Sequence, residues 1–304
     1  MNRNNLQIVQ AGWLGIYWGE FANANSPHLL PNRREHFSWY YLYMETLKED
    51  IDQVKTSIIE HFSEPFQENA LRDFIINGSK YIRSKIALLY LKANSIKLTT
   101  QIYKILAAGE IIHNASLLHD DVIDNASTRR GISTIGKTYS EKISILAGDY
   151  LLSFAMEKIL ELDNTEIITL FKNCTKEMAK AEIEQFLHRG SIPTEATYID
   201  FCNGKTAKLF STILESCAEI SNLDTVIARD FGKYYGICFQ IKNDLEPTST
   251  ISDKMNNIYT AKDILGIEKT QLLLDNYKEK LLEIISNCPN NTHKKHLEKA
   301  IREL

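Results

Sequence analysis

"TTQIYKILAAGEIIHNASLLHDDVID", residues 99–124, decides the fold class. Ile102, Ile105 and Leu106, then Ile111, Ile112, Leu117 and Leu118, recur at the three- and four-residue spacing of a helix with a buried face. The run ends in three carboxylates, Asp120, Asp121 and Asp124, and two arginines, Arg129 and Arg130, follow five residues later. A greasy helix that finishes in clustered acids at the edge of a core needs a physical reason, because like charges repel.

Working outward, the helical period recurs in "FSWYYLYMETLKEDIDQVKTSIIEHF", "EKISILAGDYLLSFAMEKILEL", "NTEIITLFKNCTKEMAKAEIEQFLHRG", "TAKLFSTILESCAEIS" and "VIARDFGKYYGICFQIKND". Ser140 and Asn164 stand where N-caps belong, and breaks fall at "SPHLLPN", "HRGSIP" and "SNCPNN". No segment alternates for long enough to suggest a sheet, and no repeat or low-complexity linker interrupts the pattern. The economical reading is all-α, one helical-bundle domain over residues 36–304, preceded by an irregular N-terminal arm at 1–35 that carries Trp13, Tyr17 and Trp18.

Composition narrows the function. Gly supplies 13 of 304 residues, below the usual share of about 7%, which suits helices better than turn-rich β structure. A net charge of -4 disfavours a nucleic-acid or anionic-membrane partner. The five cysteines are scattered and lack a C-x-x-C pair, so neither a zinc site nor a disulfide framework is expected. With no signal-peptide pattern and no run of 18 apolar residues, the expectation is a cytoplasmic protein without a membrane span.

Asp120 and Asp124 lie four residues apart and share a helix face, while Asp121 sits about 100° round. Oxygen ligands at one-turn spacing suit Mg²⁺, which keeps waters and shares phosphate oxygens. Arg129 and Arg130 would add direct cationic contacts to the same anion. A bare D-D-x-x-D is more often a solvated acidic helix end; here the preceding apolar face puts the acids at a core edge. His113, two turns before Asp120, could be a satisfied core histidine or a donor to a phosphate.

These residues carry a resemblance. "IIHNASLLHDDVIDNASTRRG" is similar to the first aspartate-rich motif of the all-trans polyprenyl diphosphate synthase family, the long-chain members in particular, and the likeness runs over about residues 75–270. "GSKYIRS" resembles that family's Gly-Gly-Lys-Arg-x-Arg-Pro loop, with Tyr81 and Ser84 in place of an arginine and the proline. The resemblance implies that Lys80, Arg83, His113 and Arg130 hold isopentenyl diphosphate and that Arg129 meets the allylic diphosphate. In "GKTAKLF", Lys205 would hold the allylic diphosphate and Thr206 would lie beside the reacting carbons; Gln240 matches a residue near the same substrate. It also implies the isoprenoid synthase type of bundle, a homodimer, and Mg²⁺ held by Asp120, Asp121 and Asp124. Ala115 and Ser116, five and four places before Asp120, are small, which implies an open tunnel and products longer than C15.

A second stretch, "FQIKNDLEPTST" at 239–250, departs from the family pattern. Where Asp-Asp-x-x-Asp is usual, Asn243, Asp244, Leu245, Glu246 and Pro247 stand, and only Asp244 keeps register. Asn243 offers a neutral carbonyl to a third metal ion, and Asp253 is the one distal acid left in the following loop. Three readings remain: a synthase with a remodelled third-metal site, a class I enzyme that cyclises the cation or passes it to another acceptor, and a non-catalytic subunit of a heteromeric synthase.

Overall fold

The computed structural model describes residues 47–66, 69–129, 132–246 and 256–304. The N-terminal arm, Arg130, Pro247 and Asp253 lie outside the described residues. In chain order the helices are α1 (Lys48–Ile59), α2 (Ala70–Asn77), α3 (Ile82–Ala93) and α4 (Thr100–Ile123). A two-residue pair follows, β1 (Thr128–Arg129) antiparallel to β2 (Ile132–Ser133), with Thr128 opposite Ser133. Then come α5 (Ile135–Thr138), α6 (Glu141–Leu160), α7 (Thr165–Leu187) and α8 (Glu195–Cys202). A π-helical turn at Asn203–Ala207 leads into α9 (Lys208–Ser221), α10 (Thr225–Leu245), α11 (Ala261–Leu265), α12 (Ile267–Ser286) and α13 (Thr292–Arg302). The all-α reading holds.

The long helices start where the sequence marks them. Thr99, Ser140, Asn164 and Asp224 each accept a hydrogen bond at their side-chain oxygen from the backbone N–H three residues on. Helix α4 is the spine, packing along α6 and against α9. Ile105, Leu106, Ala107, Ala108, Ile111 and Leu118 on it are fully buried, which at about 25 cal/mol per Å² of apolar surface makes it a main source of stability. Gly109 sets how closely α9 approaches: a Cβ there would lie 2.4 Å from Cδ1 of Ile213. All five cysteines are buried free thiols. Residues Glu45–Leu304 form one compact unit.

Two clamps tie the loop before α3 and the start of α3 onto α4. Ser79 Oγ and Asn114 exchange hydrogen bonds at 3.1 and 2.9 Å, and Ser84 donates from N and Oγ to buried Glu110 at 3.1 and 2.7 Å. Asn114 is the neighbour of His113 and Ser79 of Lys80, so the first clamp brings the Lys80 loop beside His113.

Candidate active site

Two cavities meet at the C-terminal end of α4. The larger, of about 440 Å³, is mostly apolar; Ile112, Ser116, Ile123, Leu152 and Met178 line it, together with Asp120 and Lys205. The smaller, of about 120 Å³, is polar and is bounded by Asp124, Lys205, Thr206, Gln240, Asp244 and Tyr259. Lys205 borders both. Its ammonium lies 2.6 Å from Glu182 Oε2 and donates to Gln185 Oε1 at 2.7 Å. Thr206 donates to Gln240 Oε1 at 2.9 Å. Both Lys205 and Thr206 sit in the π-helical turn. Such turns recur at functional sites because the extra residue re-aims side chains.

The three acids of the first stretch have separate environments. Asp120 faces the apolar cavity, and burial pushes its carboxyl up to about 7, partly opposed by nearby Lys205. Asp121 points inward: Oδ1 accepts from Arg129 Nε at 2.7 Å, Oδ2 is buried with no partner, and burial raises the carboxyl. Asp124 is ion-paired at 2.7 Å to Arg189, a residue that sequence reasoning passed over within the break "HRGSIP". Asp121 is therefore a partner of Arg129 in this arrangement, whereas Asp120 and Asp124 face the cavities, as their shared helix face requires.

No three histidine, cysteine or carboxylate side chains converge on one point among the described residues. Mg²⁺ needs no such cage, since one or two carboxylates with waters and substrate phosphates suffice. Asp120 and Asp124, one turn apart on the walls of the apolar and the polar cavity, fit that requirement, and the unpartnered Asp121 Oδ2 marks unspent negative charge behind them.

Asp244, expected with Asn243 to hold a metal, is 4% exposed, and its carboxylate accepts three hydrogen bonds. Tyr198 Oη donates at 2.8 Å, Gln240 Nε2 at 2.8 Å and the backbone N–H of Ala261 at 2.9 Å. Through those donors Asp244 ties α8, α10 and the start of α11 together, and it also lines the polar cavity. Asn243 is half-buried near the end of α10.

The residues matched to an isopentenyl diphosphate pocket divide similarly. Lys80 is exposed and His113 half-buried. Arg83 is 9% exposed, with its guanidinium 4.9 Å over the ring of Phe210, and burial lowers it to about 10. Tyr81, standing where the family pattern has arginine, adopts φ 55° and turns inward, donating to the carbonyl of Ile76 at 2.9 Å at the end of α2. Of the two small residues expected to set chain length, Ser116 lines the apolar cavity and Ala115 does not. Ala115 is fully buried among the helices, because one residue further along an α-helix turns about 100°. Ser116 presents little polarity to the cavity, since Oγ donates to the carbonyl of His113 at 2.8 Å. His119, unremarked in the sequence, also lines it, with Nε2 3.4 Å from Asp149.

Known proteins resemble this chain in sequence and in fold. Residues 64–304 match the family model described as polyprenyl synthetase. A prenyl transferase of Cyanidium caldarium is 30% identical over 232 residues, 73% of this chain and 72% of the relative. The human all trans-polyprenyl-diphosphate synthase is 38% identical over 169 residues, which cover 52% of this chain and 39% of that longer protein. Among solved structures, a decaprenyl diphosphate synthase from Rhodobacter capsulatus superposes with a TM-score of 0.77 at 22% identity, covering 86% of this chain and 97% of the other. A polyprenyl synthase from Caulobacter crescentus complexed with calcium and isoprenyl diphosphate does so with 0.77, also at 22% identity, covering 85% and 95%. With the family model spanning most of the chain and the fold matched, the chain belongs to the polyprenyl synthetase family of trans-prenyltransferases.

Proposed function

We propose that this protein is a long-chain polyprenyl diphosphate synthase, condensing isopentenyl diphosphate with an allylic diphosphate in the presence of Mg²⁺. The observation that carries the reading is the junction, at Lys205, of an apolar cavity that Asp120 lines with a polar one that Asp124 lines. An amphiphile with a hydrocarbon tail and a diphosphate head matches that junction.

In this reading Asp120 and Asp124 would hold Mg²⁺, which would supply positive charge to the leaving diphosphate. Lys205 adds a fixed cation beside them, with Arg129 close by. The allylic C–O bond breaks and its electron pair leaves with the diphosphate. The double bond of isopentenyl diphosphate, held by Lys80, Arg83, His113 and Arg130, forms the new C–C bond to the cation. A proton then leaves the adjacent carbon for the departing diphosphate, so no side-chain base is required. Thr206 and Gln240, hydrogen-bonded to each other, orient the reacting carbons, and the apolar walls keep water from the cation. Ser116 leaves the cavity open for a growing tail, so products exceed C15. Exposed apolar residues on α6 and α7, Leu146 at 61% and Ile183 at 60% among them, support assembly as a homodimer.

Incubating the purified protein with Mg²⁺, isopentenyl diphosphate and a series of allylic diphosphates, then sizing the products, tests the reading. Chains longer than C15 support it. A cyclised hydrocarbon or a product without added isoprene units would move the protein to another class I activity. Complete inertness would leave only a subunit role.

A further inference from the structure

The turn after α7 holds a cation that neither the sequence pattern nor the family resemblance assigned. Arg189 follows the helix C-cap, and Gly190 at φ 80° reverses the chain, a conformation other residues adopt at a cost. The Arg189 guanidinium is pinned on two sides. Nη2 lies 2.7 Å from Asp124 Oδ1, and the plane sits 4.5 Å over the ring of Phe186. The side chain is only 18% exposed, and its Nε is buried without a hydrogen-bond partner. The next residue extends the link: Gly190 N donates to the carbonyl of Asn257 at 2.9 Å. Asn257 stands four residues before Ala261, whose N–H is held by Asp244. Arg189 therefore lines a small cavity that shares Gln185, Phe201, Ile258 and Tyr259 with the polar one, between Asp124 and the segment that follows the degenerate acidic stretch.

That placement matters because of what the opposite wall lacks. Asn243 is neutral and Asp244 is committed to three donors, so this flank recruits less metal charge than a full Asp-Asp-x-x-Asp would. We infer that Arg189 supplies this missing positive charge in protein form, contacting the diphosphate directly. This rests on the function proposed above. Without metal, the guanidinium neutralises Asp124. When a divalent ion reaches Asp124, like charge repels the guanidinium, and its fork is free to take up diphosphate oxygens, the geometry to which arginine is best suited. Stacking on Phe186 and the Gly190–Asn257 bond keep the side chain near Asp124 during that exchange.

The test uses the full chain and inorganic diphosphate as probe, with binding followed by isothermal titration at saturating Mg²⁺ for wild type, Arg189→Gln, Arg189→Lys and Asp120→Asn. Circular dichroism of each variant checks folding. Arg189→Gln should bind diphosphate about tenfold more weakly or worse, the loss expected when a charged hydrogen bond is removed, with Arg189→Lys intermediate. In the absence of diphosphate, Arg189→Gln should bind Mg²⁺ more tightly than wild type, because Asp124 has lost its internal cation. Wild-type diphosphate affinity in Arg189→Gln, with loss in Asp120→Asn, would overturn the role of Arg189 and leave the metal site standing. No Mg²⁺-dependent diphosphate binding by wild type would overturn the functional reading, and this inference with it.

Discussion

Replacing Asp120 by Asn should make the metal-free protein more stable at neutral pH, although it should abolish turnover. The carboxyl stands at about 7 against an ordinary 3.8, chiefly because the apolar cavity wall desolvates it. Holding it ionised above pH 7 therefore destabilises the fold by up to about 4 kcal/mol. Access to solvent through the cavity screens part of this, so a gain of about 2 kcal/mol is expected for the neutral amide. The sign follows from linkage. A carboxyl raised in the folded state contributes its full relative stability below the unfolded pKa near 3.8 and loses it as pH climbs through about 7. The advantage of Asp120→Asn over wild type should thus be small near pH 4, roughly a third of its full size at pH 5, and constant above pH 8. For a unit of this size, 2 kcal/mol corresponds to about 5 °C in Tm. The assay is thermal unfolding by circular dichroism in excess chelator across that pH range. Equal melting temperatures at pH 8, or a difference independent of pH, would refute the claim that Asp120 is a desolvated carboxylate awaiting a cation. Added Mg²⁺ should stabilise wild type and leave the variant unchanged.

Other perturbations separate the remaining roles. Asp244→Ala should act in the opposite direction from Asp120→Asn, destabilising by about 3 kcal/mol in urea unfolding, because it strands the hydroxyl of Tyr198, the amide of Gln240 and the N–H of Ala261. Ser116→Phe should shorten the products by filling the cavity, whereas Ala115→Phe should chiefly lower stability by overpacking, as product sizing and melting together would show. Asn243→Asp restores a charged oxygen at nearly constant size, so half-maximal rate should come at a lower Mg²⁺ concentration; an unchanged or rightward-shifted Mg²⁺ curve would argue against a remodelled synthase site.

Local order was legible because it is written locally. The helical period from Ile102 to Leu118 and the oxygen caps at Ser140 and Asn164 depend on neighbours within a turn or so, and each appears where the sequence places it. The shared face of Asp120 and Asp124 follows from the same geometry. Hidden from the sequence were pairings over long separations: Arg189 with Asp124 across 65 positions, and Tyr198 with Asp244 across 46. Nothing near Asp244 signals that three donors converge on it. The π-helical turn was likewise invisible, since one inserted residue scarcely alters an apolar period. The exchange of Ala115 for Ser116 at the cavity wall turned on a single 100° step, which periodicity alone cannot phase without knowing the neighbouring helices.

The three donors around Asp244 also bear on how this sequence could have drifted. Replacing a buried acceptor leaves every one of its partners dehydrated and unmatched, so selection for folding alone guards that position, with or without catalysis. Glu246, by contrast, is exposed. An acidic motif whose members differ this way erodes unevenly: the acid that doubles as a fold tie persists, while those serving only an ion are free to vary once another cation can do their work. The single aspartate left in "KNDLEP" is in this view held in place by folding, whatever it also does for an ion.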